Sequence, residues 1–310
     1  MSLVPCYRGS VNAWECDEND HLNVRFYLAK ANQGLPFVLD AIGLPAEALT
    51  KMNAHPRIRA QHVRFLKEAR PAAPLTVYAG LAAHQDHQLT FYAEVRHSLD
   101  GEVMATLLTE LGFVGADGRP RAVSPSGDSP RCTVPAHGAP RGIKTLGEPL
   151  RPDYASILGM GFVEIGRGSI APWECDSAGE LELFQYVGRI SDSVVNLLAH
   201  FQTGEELSRR SHGLEGGALV ELRIAWHATL RAGSRFSIHS GVAAVGRKMQ
   251  HFVHLFFDEV TRACVATAQG IAVAMDLKTR RAIELPEARR RRMQERLLRL
   301  PRERAPASEG

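Results

Sequence analysis

The sequence of 310 residues predicts an α+β fold of two tandem repeats, each with one long helix followed by an antiparallel sheet. The stretch Trp-Glu-Cys-Asp occurs at residues 14–17 and again at 173–176, an offset of 173 − 14 = 159 residues. After each copy comes a segment with helical hydrophobic periodicity, and then four strand-like segments. Because a helix this apolar needs a concave sheet face to bury it, we expect each sheet to wrap around its helix.

In the first repeat, we predict a short strand over residues 11–17 and a polar turn over 18–23. A helix of about five turns follows, bent where Gly34-Leu35-Pro36 interrupts it. Its apolar stripe consists of Tyr27, Ala31, Leu35, Leu39 and Ile42. Strands are expected over residues 58–68, 75–83, 89–97 and 103–114, and Asp100-Gly101 between the last two is typical of a hairpin.

The second repeat has the same predicted order, beginning with a strand over residues 165–176. Its helix stripe consists of Phe184, Val187, Ser191, Val194, Val195 and Leu198. The strands that follow are expected over residues 219–230, 235–245, 250–258 and 263–276.

The predicted division is a first domain at residues 1–125, a linker at 126–152, a second domain at 153–286 and a basic helix and tail at 287–310. The linker is assigned from its richness in Pro, Gly, Ser and Arg. Two such units in one chain can mimic a symmetric homodimer with sites at the interface. A homodimer of the whole chain is a further possible arrangement.

The composition, 45% hydrophobic and 23% charged, is that of an ordinary soluble globular protein. No apolar run approaches the roughly 20 residues that cross a bilayer, and the first residues do not resemble a signal peptide. We therefore expect a cytoplasmic protein without a membrane partner. Five cysteines without a CxxC pair argue against a disulfide framework and a structural zinc site. Cys16 and Cys175 are interpreted as small buried strand residues rather than as nucleophiles.

The basic charge is concentrated near the end of the chain. Residues 278–304 contain eleven Lys and Arg against four Glu, so this segment carries +7 and the remainder carries 3 − 7 = −4. Arg289–Arg292 followed by Met293, Leu297, Leu298 and Leu300 predicts an amphipathic helix. A solvated helix with its leucine side packed on the body is favoured over contacts with nucleic acid, a membrane surface or CoA phosphates. No nucleic-acid partner is expected.

Residues 14–28 resemble the signature of hotdog-fold acyl-CoA thioesterases of the 4-hydroxybenzoyl-CoA thioesterase type. That signature is an acid-x-Asp-x-x-Gly-His-x-Asn pattern leading into the helix, with Tyr-Leu a few residues on. The residues that fit it are Glu15, Asp17, His21, Asn23, Tyr27 and Leu28. Asp20 stands where the family usually has Gly. The second copy keeps Glu174, Asp176, Gly179 and Tyr186, but has Glu180 and Glu182 in place of the His and Asn.

The tandem layout is similar to the double hotdog of acyl-ACP thioesterases, in which one half often keeps the catalytic residues. The resemblance therefore implies an α+β double hotdog that hydrolyses acyl-CoA or acyl-carrier-protein thioesters. It implies no separate cofactor, because CoA or phosphopantetheine arrives as part of the substrate.

Thioester hydrolysis needs an activated water or a nucleophile, and hydrogen-bond donors for the developing oxyanion. Asp17 can serve as general base or as carboxylate nucleophile. His21 can orient Asp17 or tune its pKa, and Asn23 can position water. The backbone N–H groups near residues 23–25 can polarise the thioester carbonyl. The alternative is that Asp17 and Asn23 only cap the helix.

Further candidates have weaker support. Asp176 and Glu180 can form a second site as a carboxylate pair, although a solvated helix start explains them as well. We interpret Tyr27, Arg247 and Lys248 as substrate-binding residues, the last two through CoA phosphates. His84, Asp86 and His87 crowd one hairpin, where metal binding is disfavoured, and Gly213, Gly216 and Gly217 do not form a phosphate loop.

Two other functions remain open. Hotdog enoyl-CoA hydratases carry an Asp-x-Asn-Pro-x-His pattern with five residues from Asp to His. Here the separation is 21 − 17 = 4 and no Pro intervenes, which disfavours a hydratase. The other alternative is a non-catalytic module that binds acyl-CoA or an acyl carrier.

Overall fold

The computed structural model describes residues 3–85, 87–126, 131–143 and 150–300. These residues form two compact units. The first comprises the described residues up to 143 together with 182–189 and 219–226, and the second comprises the others. Boundaries at residues 125, 152 and 286 stay predictions.

The first unit is an antiparallel sheet with a long helix packed against it. Its elements are β1 (Val4–Ser10), a 3-10 turn (Ala13–Glu15), α1 (Val24–Ala41), α2 (Ala46–Lys51), β2 (His55–Phe65), β3 (Pro74–Gln85), β4 (Gln88–His97) and β5 (Val103–Val114). The strand order is β1-β3-β4-β5-β2. On the edge of β2 that does not face β5, the strand β7 (Glu215–Trp226) pairs with it in antiparallel orientation, and Val63 lies opposite Leu222.

Helix α1 is held by its apolar face, which contacts β1, β3, β4 and β5. Tyr27, Leu28, Val38 and Leu39 are among its buried residues. At Gly34 a Cβ would lie 2.6 Å from Cys6 Sγ, so only glycine allows β1 to approach the helix this closely. Pro36 lies inside the helix, where the sequence predicts an interruption.

Residues 131–143, predicted as part of a linker, pack on the sheet of the first unit. Arg64 Nη1 donates to the carbonyl of His137 at 2.9 Å, and His137 Nε2 lies 3.1 Å from Glu94 Oε1. At the end of this segment, the backbone N–H of Gly142 donates to Glu221, which also bonds His62 at 2.8 Å. Burial alone would raise the pKa of Glu221, but these hydrogen bonds outweigh it and lower the pKa to about 2.

The second unit repeats the architecture. Its elements are β6 (Val163–Ser169), a 3-10 turn (Pro172–Glu174), the later part of α3 (Leu183–Leu198), α4 (Gly204–Ser211), β8 (Arg235–Val245), β9 (Met249–Asp258), β10 (Cys264–Asp276), β11 (Arg281–Ala282) and α5 (Glu287–Gln294). The order is β6-β8-β9-β10, with β11 paired to β10. Ile157 and Phe162 cover this sheet in a cluster with Val253, Leu255 and Phe257.

The strands predicted over residues 11–17 and 165–176 are wrong in part. β1 and β6 end at Ser10 and Ser169, and a 3-10 turn follows each. The reason is a side-chain cap: Glu15 accepts the backbone N–H of Asn12 at 2.8 Å, and Glu174 accepts that of Ala171 at 2.9 Å. These caps turn the chain out of the extended conformation.

Other predictions also need correction. Val195 of the predicted apolar stripe is 44% exposed, whereas Leu197 is buried. Arg289, predicted on a solvated helix face, is only 2% exposed and is paired with Glu206 and Glu215. Helices α2 and α4 were not predicted. Among the described residues, no helix has the length and hydropathy to span a membrane.

Candidate functional site

The loop that carries the sequence signature is a tight turn between Cys16 and Leu22, which form an isolated β-bridge. The N–H of Asp17 donates to the carbonyl of His21, and the N–H of Asp20 donates to that of Asp17, both at 3.0 Å. Asp20 has φ +59°, and Gly179, its equivalent in the second copy, has φ +73°. Asp20 thus adopts the left-handed conformation that explains glycine at this position of the signature.

Asp17 and His21 come together inside this turn. Asp17 Oδ1 accepts the N–H of Asn19 at 2.9 Å and lies 3.3 Å from His21 Nδ1. The side chains of Asp17 and His21 are 14% and 9% exposed. Burial raises the pKa of Asp17 above its ordinary value, and the neighbouring His21 opposes that rise. A carboxylate with a raised pKa is a better proton acceptor near neutral pH.

Asn23 is the N-cap of α1. Its Oδ1 accepts the N–H of Arg25 at 3.2 Å, and its own N–H donates to the carbonyl of Glu15 at 2.9 Å. The capping role considered from the sequence is therefore present. The turn and the helix start are linked through Glu15, so the position of Asp17 relative to α1 is fixed.

A buried ion pair that the sequence analysis missed reinforces this link. Lys30 Nζ lies 2.8 Å from Glu15 Oε1, and both residues are at least 95% buried. Lys30 also donates to the carbonyl of Ser10 at 3.1 Å. The 159-residue offset assigns Glu174 and Arg189 to the same positions in the second copy. The recurrence of an acidic and a basic residue with the same spacing in both copies is the sequence signal that could have revealed this ion pair.

The second copy has a turn of the same shape but different side chains. Asp176 Oδ1 accepts the N–H groups of Ala178 and Glu180 at 2.8 and 2.9 Å. Glu180, which replaces the histidine, lies 2.6 Å from Arg231 Nη2. The equivalent arginine of the first copy, Arg70, instead contacts Asp20 at 3.0 Å. The cation that neutralises Glu180 was not identified from the sequence.

The predicted substrate-binding residues lie in different settings. Tyr27 is buried, and its hydroxyl accepts the N–H of Ala69 at 3.2 Å and contacts the carbonyl of Lys67 at 3.4 Å. Burial raises its pKa well above the ordinary value. Arg247 and Lys248 are exposed in the second unit, where Arg247 pairs with Glu284. Their roles in binding substrate stay predictions.

Two other groups of residues singled out in the sequence have local partners. Cys16 lies in the signature turn rather than in a strand, where burial and then Asp20 and Asp17 raise its pKa. Its thiol is therefore poorly suited to act as a nucleophile. His84 Nε2 contacts the carbonyl of Val123 at 3.1 Å, and Asp86 lies outside the described residues. No cluster suited to a metal occurs among the described residues.

Comparison with known proteins identifies one family and several similar folds. A family model described as the thioesterase-like superfamily matches residues 11–137 and again 170–297. No curated protein sequence matches the chain significantly.

Solved structures with a similar fold cover nearly the whole chain. A protein described as an oleoyl thioesterase from Lactobacillus plantarum superposes with a TM-score of 0.66 at 13% identity, over 92% of this chain and 98% of the other. An acyl-ACP thioesterase from Bacteroides thetaiotaomicron gives 0.64 at 12% identity, over 87% and 97%. The 12:0-ACP thioesterase from Umbellularia californica gives 0.63 at 9% identity, over 88% and 94%. The predicted α+β double hotdog is thereby confirmed.

Proposed function

This chain belongs to the thioesterase-like superfamily and is a thioester hydrolase, and we propose that it cleaves acyl thioesters at the turn that carries Asp17. The observation that supports this assignment is the buried Asp17–His21 contact immediately before the start of α1. It combines a carboxylate of raised pKa with an imidazole, next to backbone N–H groups that carry the positive end of the helix dipole.

In the proposed mechanism, the thioester carbonyl oxygen accepts a hydrogen bond from the N–H of Val24 at the start of α1, because the N–H groups of Asn23 and Arg25 already donate to the carbonyl of Glu15 and to Asn23 Oδ1. Asp17 either removes a proton from a water that attacks the carbonyl carbon, or attacks that carbon itself to give a mixed anhydride that water then hydrolyses. In both routes the C–S bond breaks, and the leaving thiolate takes up a proton to become the free thiol. His21 holds the Asp17 carboxylate in position. Asn23 acts through its cap on the N–H of Arg25, because it fixes the geometry of the helix start.

We further propose that the second copy is not catalytic. Asp176 caps its turn as Asp17 does, but the histidine is replaced by Glu180, which is neutralised by Arg231, so this turn offers no carboxylate–imidazole pair. For the substrate we propose an acyl-CoA or an acyl-carrier-protein thioester, with CoA or phosphopantetheine bound only as its leaving group. The fold neighbours described as acyl-ACP thioesterases support the same substrate class.

The test compares Asp17→Asn with the matched Asp176→Asn. Thiol release is followed on acyl-CoA and acyl-carrier-protein thioesters of several acyl groups. Asp17→Asn is expected to lower kcat roughly 10²- to 10⁴-fold, the usual contribution of a general base. Asp176→Asn is expected to retain most activity.

Several results would contradict the proposal. Equal losses in both variants would mean that the second copy is catalytic as well. Acyl-CoA binding without thiol release from any substrate would indicate a binding module instead. Water addition to an enoyl-CoA would indicate a hydratase.

A further inference from the structure

A cavity of about 340 Å³ lies beside the start of α1 in the first unit. Asp17 and His21 are not among its lining residues, so it is distinct from the proposed catalytic pair. Four aromatic residues line it: Tyr7, Trp14, Phe26 and Phe184. Trp14 meets Phe26 edge-on with 5.7 Å between ring centroids, and Phe26 lies 6.2 Å from Phe184. The volume is near the lower end of the about 300–1,000 Å³ typical of ligand sites, which favours a compact ligand.

The charged residues that line the cavity carry a net positive charge. They are Glu15, Lys30 and Arg25, which sum to +1. Glu15 and Lys30 neutralise each other, and the remaining N–H groups of Lys30 bond Ser10 and Tyr7. Lys30 therefore has little capacity left to bind a ligand.

Arg25 is the cation that remains available. Its guanidinium lies over the Phe26 ring, 4.7 Å from the centroid, and Nη1 donates to Gln185 Oε1 at the long distance of 3.4 Å. No carboxylate pairs with it among the described residues, and its Nε has no hydrogen-bond partner there. At Gly188 a Cβ would lie 2.6 Å from Nη1, so glycine at this position leaves room for the guanidinium. Within the part of the chain that the structure describes, the cation is thus held in place without a counter-ion.

From these observations we propose that the cavity binds a compact organic anion, with its carboxylate or phosphate on Arg25 and its apolar, ring-sized body between the aromatic walls. Guanidinium groups bind both kinds of oxyanion through paired hydrogen bonds. The carboxylate would belong to the acyl part of a substrate and the phosphate to the pantetheine part. This inference goes beyond the proposed function, because binding of a free anion requires no thioester.

The test is a titration followed by the fluorescence of Trp14. It uses Trp173→Phe protein, because Trp173 is 85% exposed and would contribute a second solvent-accessible signal. The probes are phenylacetate, phenyl phosphate and the uncharged benzyl alcohol, with 4′-phosphopantetheine as a physiological phosphate. We expect at least one anion to bind saturably and benzyl alcohol to bind about tenfold or more weakly, as loss of a charged hydrogen bond predicts. Preference for phenylacetate would assign the anion to the acyl part, and preference for the phosphates to pantetheine.

Variants assign the effect to Arg25. Arg25→Gln is expected to weaken anion binding about tenfold or more, while Arg25→Lys retains part of it. Arg8→Gln removes the same charge at an exposed position of β1 and should leave binding unchanged. Equal binding of benzyl alcohol and the anions, no effect of Arg25→Gln, or no saturation at millimolar concentrations would overturn the proposal. Because the probes are not thioesters, such a failure would leave the hydrolase proposal intact.

Discussion

At the scale of single residues, the two signature turns differ in the partner of one arginine. Arg70 pairs with Asp20 and leaves His21 in contact with Asp17, whereas Arg231 pairs with Glu180. The backbone is the same in both turns because Asp20 adopts the positive φ that Gly179 also has. The divergence between the copies is therefore confined to side chains, which is why we assign the chemistry to one turn only.

Replacement of His21 should shift the pH dependence of the reaction. Burial raises the pKa of Asp17, and the charge of a protonated His21 opposes this rise by favouring the carboxylate. In His21→Asn that opposing charge is absent, so the pKa of Asp17 rises further. We expect the acidic limb of the kcat/KM profile to move to higher pH, with kcat lowered roughly 10²-fold.

The profile is measured between about pH 4 and 9 on a thioester that the wild-type protein hydrolyses. His87→Asn, a change at an exposed histidine, is the control and should leave the profile in place. If the acidic limb of His21→Asn coincides with that of wild type, His21 does not act on the titrating group.

At the scale of elements, hydrophobic periodicity predicted the long helices and the strands, whereas the short helices α2 and α4 were missed. The strands β5 and β8 coincide with their predicted bounds, because hydrophobic alternation and hairpin residues are local signals. The chain near residues 11–17 was predicted incorrectly because a single Glu15 cap changes its conformation. For the same reason the turn with Asp17 and His21 could be located from its motif, whereas Arg70, Arg231 and Lys30 act through contacts distant in sequence.

Helix α5 illustrates a contact that sequence could not predict. Arg289 is one of four consecutive arginines, and nothing local distinguishes it from Arg291. In the fold, Arg289 bonds Glu206 at 2.9 Å and Glu215 at 2.6 Å, while the side chain of Arg291 is 76% exposed. The buried pairs anchor α5 to the rest of the second unit.

Loss of this buried cation should destabilise the protein far more than loss of its exposed neighbour. Arg289→Met leaves Glu215 buried without that partner, which costs about 3–5 kcal/mol in comparable cases. The matched Arg291→Met removes an exposed charge and should cost no more than about 1 kcal/mol. Urea unfolding at neutral pH measures both free energies of unfolding. Equal values would show that the anchor contributes no more than a surface pair.

At the scale of the whole molecule, the two copies have come to carry different polar residues within the same architecture. The first unit has the proposed catalytic turn and the cavity at Arg25, which Phe184 of the second copy also lines. The second has two buried histidines in its strands, His239 and His254, and a half-buried one, His227, in the turn after β7. Burial lowers the pKa of all three, to about 4 for His227 and about 3 for His254. These side chains therefore link folding stability to pH.

The linkage predicts that the protein loses stability in acid well before its carboxylates are protonated. Below the ordinary pKa of about 6.5, an unfolded chain protonates His254, whereas the folded chain keeps it neutral until about pH 3. Because the unfolded state binds more protons, the free energy of unfolding falls as pH decreases through this window. One such group contributes about 1.4 kcal/mol per pH unit.

The test is urea unfolding of wild type and His254→Asn between about pH 7 and 5. The free energy of unfolding should change less steeply with pH in the variant, by up to this amount per pH unit. This difference in slope is expected even if loss of the 2.7 Å contact with Ser240 lowers the stability of the variant overall. His55→Asn, at an exposed position, should keep the wild-type slope; identical slopes for all three proteins would mean that the unfolded and folded states protonate His254 alike.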